Sequence, residues 1–225
     1  MQNKNESIDK IIAIEWIMFT AVNEGYETAD CQEDLVTFRG MRKAQFSAWS
    51  QESVNSYLLD LENAQSIGRN LVEEKYIHMM KTTEPIKYEA LLERVAYPSE
   101  TERSLANEIS SILLDQTKSL FDNFPFVAGQ GRPLFSEQDY GGISIETYQL
   151  GELMTYSEKT LTSLRDHIHK LNENGVSLAR AILENTVHFY GYESLDVAEE
   201  AVMKHSGNQG IELSYGCECE DCEIC

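Results

Sequence analysis

Along most of the chain, apolar residues recur at intervals of three and four rather than two, which predicts helices rather than sheet. The first stripe, Ile8, Ile11, Ile12, Glu15, Trp16, Phe19 and Val22, predicts a helix over 7–23 with Ser7 as its cap. A second helix is expected from just after Cys31 and Gln32 to Trp49. Ser50 then caps a third, with Gly68 past its end. "NLVEEKYIHMMKTT" predicts a short fourth helix, and Pro85 opens a fifth that includes Tyr88, Leu91, Leu92 and Val95. Ser99 and Glu102 have capping-box spacing for a long sixth helix ending near Asn123.

Next comes the irregular stretch "FPFVAGQGRPLFSEQDYGGIS", and long loops inside compact domains often belong to a site or a lid. A single seventh helix is expected over 145–172 along Leu150, Leu153, Ser157, Leu161, Leu164, Ile168 and Leu171, closed by Gly175. Helix eight should run over 177–190, and Ser194 should cap a last helix to His205. The expectation is an all-α, single-body bundle of about eight or nine helices over 1–205. A flexible linker and an acidic cysteine-rich tail would occupy 206–225.

The pattern also echoes itself. "AWSQESVNSYLLDLENAQSIG" laid over "TYSEKTLTSLRDHIHKLNENG" brings Ser50 onto Ser157, Gly68 onto Gly175 and Trp49 onto Tyr156. Three further residues set "EKYIHMM" against "ENTVHFY". Two pseudo-repeated halves would produce this, with a pocket at their seam.

Helix two carries an anomaly. Its stripe places Arg42 and Gln45 where a bundle helix keeps leucine. Either the helix is rotated so that Met41, Ala44 and Ala48 pack inside and Arg42 is solvated, or the polar pair lines a cavity. In the second case a carboxylate must lie nearby, because desolvating an unpaired arginine costs several kcal/mol. Tyr148, Glu152 and Tyr156 share an edge of the apolar stripe of helix seven, with Glu146 before them beside the loop, and so offer acid and phenol groups. Arg132 in "GQGRPL" is a second candidate anion clamp. Glu74 with His78 and Glu184 with His188 are each one turn apart, but di-iron bundles use Glu-x-x-His instead.

Composition narrows the partners. With 18 basic against 38 acidic side chains the net charge of −20 repels a phosphate backbone, which argues against nucleic acid or anionic membrane as a partner. The apolar runs are too short for a membrane span, and the N-terminus lacks the apolar core of a signal peptide, so a cytoplasmic protein is expected. Of five cysteines, Cys31 stands alone as a structural thiol or a thiolate at a helix N-terminus. Cys217, Cys219, Cys222 and Cys225 crowd into "CECEDCEIC", a spacing that suits zinc or an iron–sulfur cluster but lacks an apolar jacket.

Several motifs in order, "CQED", "F-x-x-M-R-x-x-Q-F-x-A-W-S", "GRNL-x-x-EKY-x-x-MM", "GRP", "ETY-x-x-GEL-x-TYSEKTL" and "ILENTV-x-x-YGY", resemble a bacterial family frequent in anaerobic Firmicutes. That family is carried as a domain of unknown function. The resemblance spans residues 8–205 and implies a cytoplasmic helical protein, without an activity or cofactor; the cysteine tail departs from its pattern.

The resulting expectation is a small-molecule ligand, anionic or zwitterionic, in a polar pocket of Arg42, Gln45, Trp49, Arg132 and Glu146. Glu152, Tyr148 and Tyr156 are the candidate acid–base and hydrogen-bonding groups. The alternatives are a metal or redox accessory protein acting through the tail, and a helical interaction module without a ligand. The sequence leaves enzymatic activity and oligomeric state open.

Overall fold

Spacing of three and four becomes helix throughout the computed structural model, which describes residues 3–22, 34–139 and 142–206 and contains eleven α-helices and no strand among them. They are α1 Lys4–Thr20, α2 Leu35–Ala48, α3 Gln51–Ser66, α4 Leu71–Thr83, α5 Pro85–Leu91 and α6 Glu100–Asn123. After them come α7 Pro125–Ala128, α8 Ile145–Leu153, α9 Glu158–Glu173, α10 Leu178–Phe189 and α11 Leu195–Ser206. No helix of the described residues is long and apolar enough to cross a membrane.

Local side-chain chemistry sets most boundaries. Ser50, Ser99, Ser144, Ser157 and Ser177 each accept a hydrogen bond from a backbone N–H of the first turn that follows. Ser99 and Glu102 complete the capping box. Gly68 and Gly175 close α3 and α9 with φ of 73° and 70°, a conformation that costs a side-chain-bearing residue more than glycine.

Three expectations need correction. Helix one begins at Lys4, because Asn3 rather than Ser7 is its cap; the Ser7 hydroxyl is buried and hydrogen-bonds Asn55. The expected seventh helix is two helices. Ser157 turns outward from the helical path to cap α9, and its own N–H donates to the Asp60 carboxylate of α3 at 3.1 Å. The long irregular stretch holds the single turn α7 and a 3₁₀ turn at Ser136–Gln138. It is tied down further, since Ile145 and Glu146 donate backbone N–H bonds to the carbonyls of Pro133 and Leu134.

The main core joins α1, α2, α3, α6, α8, α9 and α10 through residues such as Ile11, Phe46, Leu61, Ile109, Leu161, Leu164 and Ile168. Each side chain of this kind contributes about 1.5–3 kcal/mol on burial. Here α1 packs on α2, α3 and α4, and α6 packs on α8, α9 and α10, while α3 lies against α9. In addition α2 packs on α10, and α8 on α4. This set of pairings maps onto itself when α1–α4 are exchanged for α6, α8, α9 and α10.

Small residues one turn apart make the two crossed pairings close. Gly40 and Ala44 of α2 meet α10, where a Cβ on Gly40 would lie 2.2 Å from a ring carbon of Phe189. Thr147 and Gly151 of α8 meet α4, where a Cβ on Gly151 would lie 2.6 Å from Met79 and 3.0 Å from the Lys75 carbonyl oxygen. These approaches bring α2, α4 and α8 near enough for their polar residues to touch.

Candidate functional site

Arg42 is 9% exposed, and its guanidinium is the centre of a buried ion network. Nε donates to Glu15 of α1 at 2.8 Å, and Nη2 also pairs with Glu15. Nη1 and Nη2 reach the two oxygens of Glu152 on α8 at 3.2 and 3.1 Å, and Nη1 further donates to the Gln45 side-chain carbonyl at 2.7 Å. The Tyr57 hydroxyl of α3 donates to Glu15 at 2.7 Å. Glu152 also accepts from the Gln45 amide, the Tyr156 hydroxyl and the Lys75 ammonium of α4, the last at 2.9 Å.

Two cations and two anions thus share one enclosure, and each has at least one opposite charge in contact. Burial alone would push the Glu152 carboxyl up, but Arg42 and Lys75 outweigh it and hold the group well below the usual carboxylate range. Burial works against the Arg42 charge too, and Glu15 and Glu152 reverse it, raising the guanidinium well above its ordinary value. Burial and the neighbouring carboxylates push the Tyr57 and Tyr156 phenols up, so both act as fixed donors.

The network ends at a rim. The Lys75 ammonium lies 3.4 Å from the ring centroid of Tyr148, and the Arg132 guanidinium lies 4.7 Å from the same ring. Arg132 donates to the Ile143 carbonyl at 3.0 Å and makes no ion pair with any described carboxylate. Tyr148 is half-buried, and its hydroxyl hydrogen-bonds no described residue. Burial pushes its phenol up, but Lys75 reverses this, so the net direction is downward.

Among the residues singled out in the sequence, Arg42, Gln45, Glu152 and Tyr156 come together directly, and Tyr148 and Arg132 border them. Trp49 lies in the main core against Phe46, Tyr57 and Tyr156 and forms the wall behind the phenols. Glu146 turns to the loop, where it accepts from the Ser136 N–H at 2.8 Å. Two surface hollows lie elsewhere, one at Glu52, Glu158 and Asp166, the other at Asp115, Gln116 and Arg180.

Glu74 is gripped at both oxygens by Arg69, Glu184 pairs with Arg180, and the His188 Nε2 meets the Glu193 carbonyl. Among the described residues no group of three or more His, Cys, Asp or Glu is placed to hold a metal. Cys31 and the four tail cysteines lie outside the described residues.

Sequence reading missed Glu15, Lys75 and Tyr57 as site residues. The signal was present: Glu15 stands inside the apolar stripe of α1, and Lys75 stands between Leu71 and Met79 at steps of four. The "GRNL-x-x-EKY" motif has a physical reading: Gly68 closes α3, Arg69 holds Glu74, Asn70 caps α4 and Lys75 enters the network.

Neither a curated protein nor a solved structure matches the chain. A family model does: the one described as "Protein of unknown function (DUF4125)" matches residues 5–200, and the chain belongs to that family.

Proposed function

We propose that the protein binds a small anionic or zwitterionic molecule at the rim formed by Lys75, Tyr148 and Arg132, with the Arg42 network as its rigid floor. The observation that carries this reading is a surplus cation. Among the described residues Arg42 and Lys75 pair with Glu15 and Glu152 and Arg132 pairs with no carboxylate, so one positive charge there lacks an ion-pair partner on a chain of net charge −20. A carboxylate or phosphate offers the planar guanidinium a bidentate partner.

A second argument comes from the helix exchange described above. We infer that the chain consists of two repeated halves. At the register set by Ser50 and Ser157, Gln149 corresponds to Arg42; its amide donates to Ser110 of α6 much as Arg42 reaches Glu15 of α1. With the three-residue gap that sets "EKYIHMM" against "ENTVHFY", Asn185 corresponds to Lys75 and donates to the Ala44 carbonyl. Neutral groups therefore serve this architecture where charge is not needed. A buried ion pair often stabilises no more than hydrocarbon of the same shape, so retention of four buried charges, Glu15, Arg42 and Lys75 in one half and Glu152 of α8 in the other, points to a role besides packing.

Within this reading Arg42 is committed to the protein's own carboxylates, and the ligand meets Arg132 and Lys75. Glu152, held ionised, is a weak base and serves to orient its neighbours. The test is a thermal-unfolding screen of the full chain against phosphate, mono- and dicarboxylates and amino acids. A binder present at 100 times its Kd stabilises by about 2.7 kcal/mol. The expected hit is anionic, and its effect disappears in Arg132→Gln. No anionic hit, or a hit indifferent to that substitution, overturns the reading.

A further inference from the structure

Of the polar groups gathered at the rim, Tyr148 alone combines a half-buried side chain whose hydroxyl hydrogen-bonds no described residue with two cations against its ring. We propose that Tyr148 is the proton-transferring residue of this site, exchanging its phenolic proton with the bound molecule while the Lys75 ammonium and Arg132 guanidinium stabilise the phenolate left behind. The inference rests on the binding reading above and deepens it by adding a proton transfer to the bound molecule.

The step is a single transfer. The O–H bond of Tyr148 breaks, its electron pair stays on the phenolate oxygen, and the proton goes to a basic atom of the bound molecule; the reverse transfer restores the phenol. General acid–base groups act best when their pKa lies near the working pH. An ordinary phenol is too weak an acid for this, and a group buried among hydrocarbon is weaker still.

Every element packed on Tyr148 bears on that balance. Lys75 of α4, Arg42 of α2 and Arg132 of the loop favour the phenolate, and Tyr148 packs against the apolar cluster of Phe19, Val22, Tyr76 and Met79. That cluster, against which Trp16, Phe38 and Ile143 also pack, carries no charged group. On α8 itself Glu152 opposes phenolate formation, but its two oxygens are already held by Arg42 and Lys75. Cations therefore dominate, and the downward shift of the phenol agrees with the geometry.

Glu152 and Arg42 are positioning residues in this scheme. The Glu152 carboxylate fixes the ammonium of Lys75 over the ring, and Arg42 fixes Glu152.

The test is spectrophotometric titration of the full chain, which contains 11 tyrosines, without any ligand. One phenol should ionise ahead of the others, and that early step should be lost in Tyr148→Phe. Lys75→Met should move it to higher pH. Because that substitution also touches the buried network, Arg132→Gln at the rim provides a second variant, expected to move the step in the same direction by less. An early step that survives in Tyr148→Phe, or its absence from the unsubstituted chain, overturns the inference. A chain that binds an anion through Arg132 yet shows no early step fails this inference alone. An early step assigned to Tyr148 in a chain that binds no anion fails the binding reading instead, and leaves the phenol no molecule to serve.

Discussion

Arg42 and Glu152, separated by 110 positions in the chain, are joined by two hydrogen bonds of 3.2 and 3.1 Å inside the protein. That pair of hydrogen bonds clamps α2 to α8, and Glu15 clamps the same guanidinium to α1. Arg42→Met leaves Glu15 without a cation and Glu152 with Lys75 alone. The expected loss is about 3–5 kcal/mol, the usual result of removing one member of a buried pair. Urea unfolding measures it. Adding Glu15→Leu to Arg42→Met restores charge balance and should recover much of the loss; a single variant within about 0.5 kcal/mol of the parent, the range of ordinary surface substitutions, contradicts the network's role.

Glu152 also predicts a pH dependence. Its folded-state pKa is depressed by Arg42 and Lys75 against the opposing effect of burial, so the folded protein binds this proton less readily than the unfolded chain. The resulting stability is present above the ordinary carboxylate value and is lost as pH falls through that value toward the lower, folded one. Glu152→Gln should therefore be markedly less stable than the parent near neutrality, and the gap should shrink in acid. Equilibrium unfolding at a series of pH values checks this, and a gap that stays constant down the series counts against it.

The all-α class and the helix ends at Ser50, Gly68, Ser99 and Gly175 were legible from spacing and from Ser and Gly placement, because those signals are local; the caps Asn3, Ser144 and Ser157 were not read. The break between α8 and α9 was not read from the stripe, since Leu150, Leu153, Leu161 and Leu164 keep helical spacing across it. The echo did hold the answer: Ser157 falls on Ser50, and Ser50 is a cap. Of the site, Arg42, Gln45 and Glu152 were legible as polar residues in apolar stripes. Glu15 and Lys75 are of the same kind, but their meaning depends on helix pairs brought together by the crossing of α2 and α8, and one helical period cannot report that.

The crossed pairings depend on small residues, and the two glycines should differ in sensitivity. At Gly40 the obstacle is the Phe189 ring, which is 39% exposed and has room to swing outward. At Gly151 the obstacles are Met79, 2% exposed, and the Lys75 carbonyl oxygen, which belongs to the helix backbone. Overpacking a core costs about 1–3 kcal/mol. Gly151→Ala should fall at the upper end of that range and Gly40→Ala at the lower end, as measured by the denaturation midpoint. Gly151→Ala should also shift Lys75 relative to Glu152 and Tyr148, so the early tyrosine step should move with it. Equal costs at the two sites would show that α4 and α10 yield alike.

His78 on α4 supplies a separate acid sensitivity. Its Nε2 is buried and has no hydrogen-bond partner among the described residues. Burial pushes its pKa down; Glu74 opposes this, while Lys81 and Arg69 add to it. The unfolded chain therefore takes up this proton first, and stability falls as pH drops through the ordinary histidine value toward the lower folded one. His78→Phe removes both the unmet nitrogen and the titration. An unsatisfied buried group costs about 1–3 kcal/mol, so the variant should match or exceed the parent at neutral pH, with its advantage growing in mild acid. This window lies above the one governed by Glu152, so a single pH series separates the two: the His78→Phe advantage should develop before the Glu152→Gln gap begins to close. A variant that loses stability at neutral pH, or an advantage that appears only in the carboxylate range, would contradict a neutral, unpartnered imidazole at this position.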